Sequence, residues 1–311
     1  MIHFRFHLVS LVAVFLALAL GIVMGYGVLG QPTVSGLQDR VDRVEGRINS
    51  VRRDNDRLQG EVDRLNAYSD ASSQFAVTDR LAGASVQIVA LRGVDADRVR
   101  DVVNLARKAG AAIGGIVWLE PKWALASSTD TKALEAALGL EPGPKSGVRA
   151  AGWLALARRL GGAPAAGDTL AALQQAGFVT GEAVGGGGFD LTKLDGTGGR
   201  VLVVDGTQSK VPDSALVGPL ADAMAAVATP VVFGEVYVQT DNGPDRGQRL
   251  TAIRSDETLT KKVSTVDDLD LTEGRVAGVL AVADLARGVV ADYGYGEGAD
   301  RVLPEWWSPG P

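Results

Sequence analysis

The feature that most constrains this chain is an uncharged apolar run, Leu8–Leu29, followed at once by a heptad repeat of apolar residues. The run holds 22 residues. At about 1.5 Å per residue these reach about 33 Å, enough for a bilayer core of about 30 Å. We therefore predict a transmembrane helix over residues 8–29. A cleaved signal peptide is the competing interpretation, but its apolar region normally has only about 7–15 residues, so the length favours an uncleaved signal anchor.

Positive charge at the N-terminus predicts how this span is oriented. Arg5 and the amino terminus precede the apolar run, and positively charged flanks remain on the cytoplasmic side of a membrane. We therefore expect residues 1–7 to form a cytoplasmic tip. The bulk of the chain is then extracytoplasmic, in the cell envelope.

The heptad repeat predicts a coiled coil over residues 35–68. Its core positions, here called the heptad seam, are Val41, Ile48, Asn55 and Val62 at position a, and Leu37, Val44, Val51, Leu58 and Leu65 at position d. β-Branched residues at a with Leu at most d positions favour two parallel strands, and a single Asn at a, here Asn55, sets the register. We predict that residues 37–65 form a parallel homodimer or pair with a partner coiled-coil protein. An amphipathic helix packed on its own domain is the alternative.

In a homodimer, the charged residues that flank the seam would form one attractive and one repulsive kind of contact. Arg40 can meet Glu45 of a second copy, whereas Arg47 would face Arg52. Glycines 46 and 60 also weaken the helix, by about 1 kcal/mol each relative to Ala. The flanks therefore leave the choice between a second copy and another helix open.

From about residue 84 the pattern changes to apolar strands alternating with helices. The predicted strands are Ser85–Leu91, Ala112–Leu119, Arg200–Asp205, Pro230–Val238 and Leu259–Val263. The predicted helices are Asp95–Lys108, Asp130–Leu138, Val148–Leu160, Thr169–Gln175, Ser214–Val227 and Glu273–Ala286. This alternation predicts an α/β fold, a three-layer domain with a mostly parallel sheet over residues 84–311. Gly185–Gly188 is predicted to be a loop or hairpin tip.

Composition excludes several classes of function. A net charge of −6 with a pI near 5.1 argues against nucleic-acid binding, which needs a basic face. The chain has no cysteine, and its two histidines, His3 and His7, precede the span. Ser–His–Asp and Cys–His catalysis are therefore absent in cis. Cu(I) prefers thiolate, thioether and imidazole ligands, yet beyond the tip only Met24 and Met224 are available.

Polar side chains at the ends of the predicted strands are the remaining candidates for a binding crevice. They are Asp205, Glu235, Ser264, Thr265, Asp267 and Asp268. Carboxylates at one rim of a parallel sheet could hold a hard cation, but Asp, Ser and Thr at strand ends are also ordinary helix caps and turn formers. With no histidine available, only a lysine such as Lys210 or Lys262 could act as a base. We therefore predict no enzyme, no metal site and no cofactor.

Three stretches of the sequence carry a family resemblance. They are the N-terminal run Arg5–Gly25, the segment Ser264-Thr-Val-Asp-Asp with Gly274-Arg-Val, and Tyr293-Gly-Tyr-Gly leading to Leu303-Pro304. Together they resemble the MctB family of mycobacterial and related actinobacterial envelope proteins. Asp268 stands where this pattern leads us to expect Asn.

The resemblance implies a role in copper transport that keeps intracellular copper low, with a proposed channel in the outer membrane. It also links similar membrane-anchored coiled-coil proteins to cell-envelope assembly and division through a partner membrane protein. We expect a single-pass envelope protein that acts in copper efflux as part of an assembly. A non-catalytic scaffold or regulator of envelope assembly and division is the alternative.

Overall fold

The computed structural model describes residues 3–162, 168–194, 199–241 and 243–305, with the backbone alone described at residues 3, 26–35 and 213–215. The chain divides into two compact units, residues 1–66 and 67–311. The boundary between them falls within the first helix, α1 (His3–Val77).

The first unit is helical and begins with an apolar segment. Phe4–Gly25, 22 residues long, is apolar enough to cross a membrane, and none of it is buried. It is the single helix of this kind among the residues that the structure describes. The predicted span 8–29 overlaps this segment, while the side chains of residues 26–29 lie outside the description. An N-terminal membrane-anchoring helix is thus supported.

The heptad seam lies on the same helix and is open to solvent. Its eight apolar side chains, from Leu37 to Leu65, are 45–67% exposed in the single chain. Asn55 is exposed among them. The seam therefore has an uncovered apolar face, and the coiled coil stays a prediction.

The second unit is built on a seven-stranded sheet. Its strands are β1 (Val86–Leu91), β2 (Ile116–Leu119), β3 (Val179–Glu182), β4 (Arg200–Gly206), β5 (Val231–Val236), β6 (Val263–Val266) and β7 (Asp292–Tyr293). The spatial order is β3-β2-β1-β4-β5-β6-β7. Every neighbouring pair is parallel except β2 and β3, which are antiparallel. The predicted mostly parallel sheet is confirmed.

Helices cover this sheet on both faces. They are α2 (Ala96–Lys108), α3 (Ser128–Leu138), α4 (Lys145–Leu160), α5 (Thr169–Gln175), α6 (Asp213–Ala226), α7 (Thr251–Arg254) and α8 (Thr272–Asp284). Because every residue of β1, β2, β5 and β6 is buried, these strands are shielded from water on both faces of the sheet. α2 packs on α8, and α4 packs on α3 and α6. The three-layer α/β prediction is therefore confirmed.

Local capping explains where several of these helices begin. The Asp95 side chain accepts a hydrogen bond from the Asp97 N–H at the start of α2. Ser127 and Asp130 form a reciprocal capping box at α3, which ends at Gly139 in the left-handed region. Such caps satisfy N–H and C=O groups that a helix end leaves free.

The predicted strand Leu259–Val263 is wrong, because the chain turns there. The Asp256 side chain accepts hydrogen bonds from the Thr258 and Leu259 N–H groups, which fixes a turn before the strand. β6 accordingly begins only at Val263. The predicted hairpin tip is confirmed, since Glu182 at the end of β3 pairs with Gly188 beyond the turn.

Candidate functional site

The strand order reverses between β1 and β4, the position at which parallel α/β sheets usually bind ligands. Here the chain itself occupies that crevice. The Lys210 N–H donates to the Arg92 carbonyl at 2.9 Å, so the turn after β4 lies on the turn after β1. Gly93 has φ +111°, and a Cβ there would overlap the Gln208 carbonyl oxygen.

The start of α2 is likewise occupied by an internal group. Phosphates bind at helix N-termini because free N–H groups and the helix dipole attract an anion. In this protein the Asp95 carboxylate caps α2, so a negative group already lies where a phosphate would bind. The usual nucleotide site of a doubly wound sheet is therefore closed.

Beside this crevice, three buried carboxylates lie at the ends of β4, β5 and β6, facing the segment 246–254. We call this group the buried ion-pair cluster. Its members are Asp205, Glu235 and Asp267, with Arg246, Arg249 and Arg254. The three acids are among the predicted crevice candidates, whereas the sequence reasoning missed the three arginines.

The first pair of the cluster joins Asp205 to Arg249. The guanidinium donates from Nε and Nη2 to the two carboxylate oxygens, each at 2.8 Å. Asp205 is fully buried, and its second stabilising contact is the Gly206 N–H at 2.7 Å. Burial raises the pKa of Asp205, while the Arg249 charge and the Gly206 N–H oppose that rise. This bidentate geometry is the strong form of an ion pair.

The second pair joins Asp267 to Arg254, whose side chain is only 3% exposed. Arg254 donates at 2.8 Å to Asp267 Oδ2 and at 2.8 Å to the Thr265 hydroxyl. The Thr265 hydroxyl in turn donates to Asp292. Ser264, one residue earlier, accepts from the Ala291 N–H at 3.3 Å. Ser264 and Thr265 thus hold β6 to β7 and do not face a crevice.

Glu235 is held by one hydrogen bond. Its Oε2 accepts from the Gly247 N–H at 2.6 Å, whereas Oε1 has no hydrogen-bond partner among the described residues. Burial raises the pKa of Glu235 to about 8, and the charges of Asp205 and Asp267 add to the rise. The carboxyl is therefore protonated at neutral pH.

Asp268 lies apart from these pairs. It is fully buried, and neither of its carboxylate oxygens has a hydrogen-bond partner within the described part of the chain. Burial, and then the charge of neighbouring Asp267, raise the pKa of Asp268 to about 7. Its backbone carbonyl lies against Gly274, where a Cβ would overlap it.

The three arginines of the cluster all form ion pairs, Arg249 with Asp205, Arg254 with Asp267, and Arg246 with Asp270, which lies outside the cluster. Arg246 donates to both oxygens of Asp270, at 2.8 and 3.0 Å, and its guanidinium lies over the ring of Tyr237, 4.5 Å from the centroid. Within the described ranges, no three His, Cys, Asp or Glu side chains are grouped so that they could hold a metal ion. The arginines of the buried ion-pair cluster are thus held by acidic side chains of the same chain.

Comparison with known proteins identifies the family. The family described as "Copper transport outer membrane protein, MctB" matches residues 1–304. This chain belongs to the MctB family. The copper transporter MctB of Mycobacterium tuberculosis is 28% identical over 319 aligned positions, which cover 97% of this chain and 99% of the relative. Its namesake in Mycobacterium bovis gives the same figures. That of Mycobacterium leprae is 27% identical over 320 positions, with the same coverage.

Two of the segments that carry the MctB resemblance, the one that contains Asp267 and the one that begins at Tyr293, meet around the Asp267 side chain. Its carboxylate accepts from the N–H groups of Tyr295, at 2.9 Å, and Gly296, at 3.0 Å. Gly294, between the two tyrosines of the segment, has φ +127°, and a Cβ there would overlap the Asp267 carboxylate. The predicted family membership is confirmed. The C-terminal MctB segments owe their residue pattern in part to packing around one buried carboxylate.

Proposed function

We propose that this MctB protein supports copper transport in the cell envelope as a single-pass, membrane-anchored member of an assembly. The observation that carries the proposal is the heptad seam. Its eight apolar side chains are 45–67% exposed and follow directly on an apolar helix long enough to span a membrane. An exposed a/d face of this length is a surface for a partner helix.

The copper chemistry of the chain favours an assembly over copper binding by one chain alone. The sequence has no cysteine, and its two histidines are at positions 3 and 7. Met224 is fully buried in the α/β unit. Since Cu(I) prefers sulfur and imidazole ligands, the ligands along a copper path would come from another protein. The relatives are named copper transporters, and we assign the same process to this chain.

The proposed topology places the N-terminus in the cytoplasm and the α/β unit outside it. Arg5 and the amino terminus precede the span, in keeping with the positive-inside rule. The apolar helix would remain as an uncleaved anchor. The family description supports a place in the envelope; it names the outer membrane, whereas the topology proposed here requires the cytoplasmic membrane.

A non-catalytic scaffold or regulator of envelope assembly and division is the second candidate, and the same exposed seam favours it. Unlike the first candidate, this role does not require the deletion strain to accumulate copper. Both candidates assign the protein a partner and neither assigns it catalysis. The charge-matched cluster at the strand ends supports that assignment.

The test is cell-associated copper in a deletion strain at elevated external copper. The strain is complemented with the intact chain, with an Ile48→Lys/Val51→Lys variant that charges the seam, or with an Asn49→Lys/Ser50→Lys variant. The last pair adds the same charge on the opposite side of the helix and is the matched control. Equal amounts of membrane-bound protein are verified for each.

We expect the intact chain and the control to lower copper, and the seam variant to leave it high. Unchanged copper in every strain, with a defect in cell shape or separation that only seam-intact chains repair, would assign the scaffold role instead. Full activity of the seam variant in both readouts would contradict the assembly proposal.

A further inference from the structure

The arginines beside the seam have no acidic partners in the part of the chain that the structure describes. Arg57, at the outer position c, donates to Glu61 at 2.9 Å. Arg40, Arg47 and Arg52 flank the seam at positions g and e, and none of them forms an ion pair with the residues that the structure describes. The flank also holds the acids Glu45, Asp54 and Glu61, but between Arg47 and Arg52, in the middle of the seam, its charged residues are basic and have no acidic partner among the described residues.

A second copy of the chain satisfies only part of this flank. In a parallel pair, position g of one helix meets position e of the next heptad in the other. Arg40 would then meet Glu45, an attractive pair. Arg47 of each chain would meet Arg52 of the other, so the contact would occur twice. Like charges at such positions destabilise a coiled coil. The middle of the seam therefore disfavours self-pairing.

An antiparallel second copy would match the charges but not the rest of the seam. It would bring together Arg40 with Glu61, Arg47 with Asp54, and Glu45 with Arg52. It would also place the amide of Asn55 against an apolar side chain, where it has no partner. α1 is one helix from His3 to Val77. In an antiparallel pair the apolar membrane segments of the two copies would therefore lie at opposite ends of the coiled coil. Two copies inserted the same way in one membrane cannot meet in this manner.

We propose that the seam pairs in parallel with a helix of another protein whose flank is acidic opposite the middle of the seam. That helix presents carboxylates opposite Arg47 and Arg52 and an amide opposite Asn55, and a second copy of this chain is the weaker partner. The inference rests on the proposed function, since it names the chemistry of the partner that the seam engages. Charges at positions e and g select partners in this way in coiled coils generally.

The test uses full-length chains in detergent, with a charge-swapped copy as the acidic probe. Tagged parent chain is mixed with untagged parent or with an untagged Arg47→Glu/Arg52→Glu variant. In a parallel pair the variant replaces both Arg–Arg contacts by Arg–Glu contacts. We expect the tagged parent to retain the variant about tenfold more than it retains the parent. An Arg43→Glu/Arg53→Glu variant makes the same charge change at outer positions and should be retained like the parent.

Equal retention of parent and swapped variant would overturn the inference, and so would weaker retention of the variant. Weaker retention is the result expected for antiparallel copies, where the carboxylate introduced at position 52 would meet Glu45 of the parent. Retention of neither chain would overturn it as well. These outcomes are separable from failure of the proposed function, which is judged by the copper response to Ile48→Lys/Val51→Lys and does not depend on which partner is preferred.

Discussion

At the scale of single residues, Asp268 makes the stability of the α/β unit depend on pH. The pKa of this buried carboxyl is raised to about 7, whereas in an unfolded chain an Asp titrates at about 3.9. Between these values the folded state holds a proton that the unfolded state has released. The free energy of unfolding therefore falls as pH rises from about 4 to about 7, and the Asp268 contribution is constant above that.

Asp268→Asn should remove this dependence, since an amide does not ionise. A difference of about three pH units corresponds to at most about 4 kcal/mol. We expect the variant to gain stability relative to the parent by up to that amount between pH 4 and pH 8, measured by urea unfolding. Asp241→Asn, at an exposed position, should show no such trend. Parallel pH profiles for Asp268→Asn and the parent would contradict the buried ionisation.

Arg254 contrasts with Asp268, because its buried charge has an ion-pair partner and several hydrogen-bond acceptors. It donates to Asp267, to Thr265 and to the Tyr293 carbonyl, the last at 2.9 Å. Arg254→Ala should lower the free energy of unfolding by about 3–5 kcal/mol, because Asp267 stays buried without its counter-ion. Arg98→Ala breaks only an exposed pair and should change it by less than about 1 kcal/mol. Similar unfolding midpoints for the two variants would show that the cluster contributes little.

At the scale of elements, the turn after β1 is predicted to tolerate no side chain. Gly93→Ala places a methyl group against the Gln208 carbonyl and 2.8 Å from the Lys210 nitrogen. Gly83→Ala is the control, because Gly83 also has positive φ but no atom lies within 4 Å of its Cβ position. We expect Gly83→Ala to cost about 1 kcal/mol from strain alone. Gly93→Ala should cost more, seen as a larger loss of melting temperature. Equal losses would mean that the turn relaxes.

The seam offers a prediction for α1 as an element. Asn55→Val replaces the one polar core position by an apolar residue. It should strengthen self-association and broaden the range of oligomers, since the amide no longer sets the register. Analytical ultracentrifugation of the full chain in detergent measures both. A chain that is monomeric before and after the change would contradict self-pairing through the seam.

Elements whose residues carry their own signal could be predicted from the sequence. Asp95 and a helical apolar period predict α2 at 95–108, and the structure has Ala96–Lys108 with Asp95 as its cap. α5 has the bounds that its sequence predicts. β3 (Val179–Glu182) and β7 (Asp292–Tyr293) were missed. They are short edge strands without an apolar run, and each exists through pairing with a neighbour.

At the scale of the whole molecule, the acids of the candidate site could be predicted and their partners could not. Asp205 and Glu235 stand at strand ends, a position that sequence periodicity reveals. The arginine opposite Asp205 lies 44 residues later in the chain, and only the folded sheet brings the two together. Acids that the sequence offers as possible cation ligands at the sheet edge are thus found in an ion-pair cluster in the structure. The spacing of Arg246, Arg249 and Arg254 just after β5 was the available signal.

The closed crevice between β1 and β4 has a consequence for genetics. Where the strand ends of a sheet bind a ligand, some substitutions at those ends abolish activity but leave the amount of protein unchanged. Here the strand-end acids Asp205 and Asp267 pair with arginines of the same chain. In a deep mutational scan, variants at Gly93, Asp205 or Arg254 should therefore lose abundance and copper tolerance in proportion. Variants of the seam should lose tolerance at normal abundance. Some variants inside the α/β unit could lose copper tolerance while their abundance stays normal. Such residues would mark a surface that binds a partner.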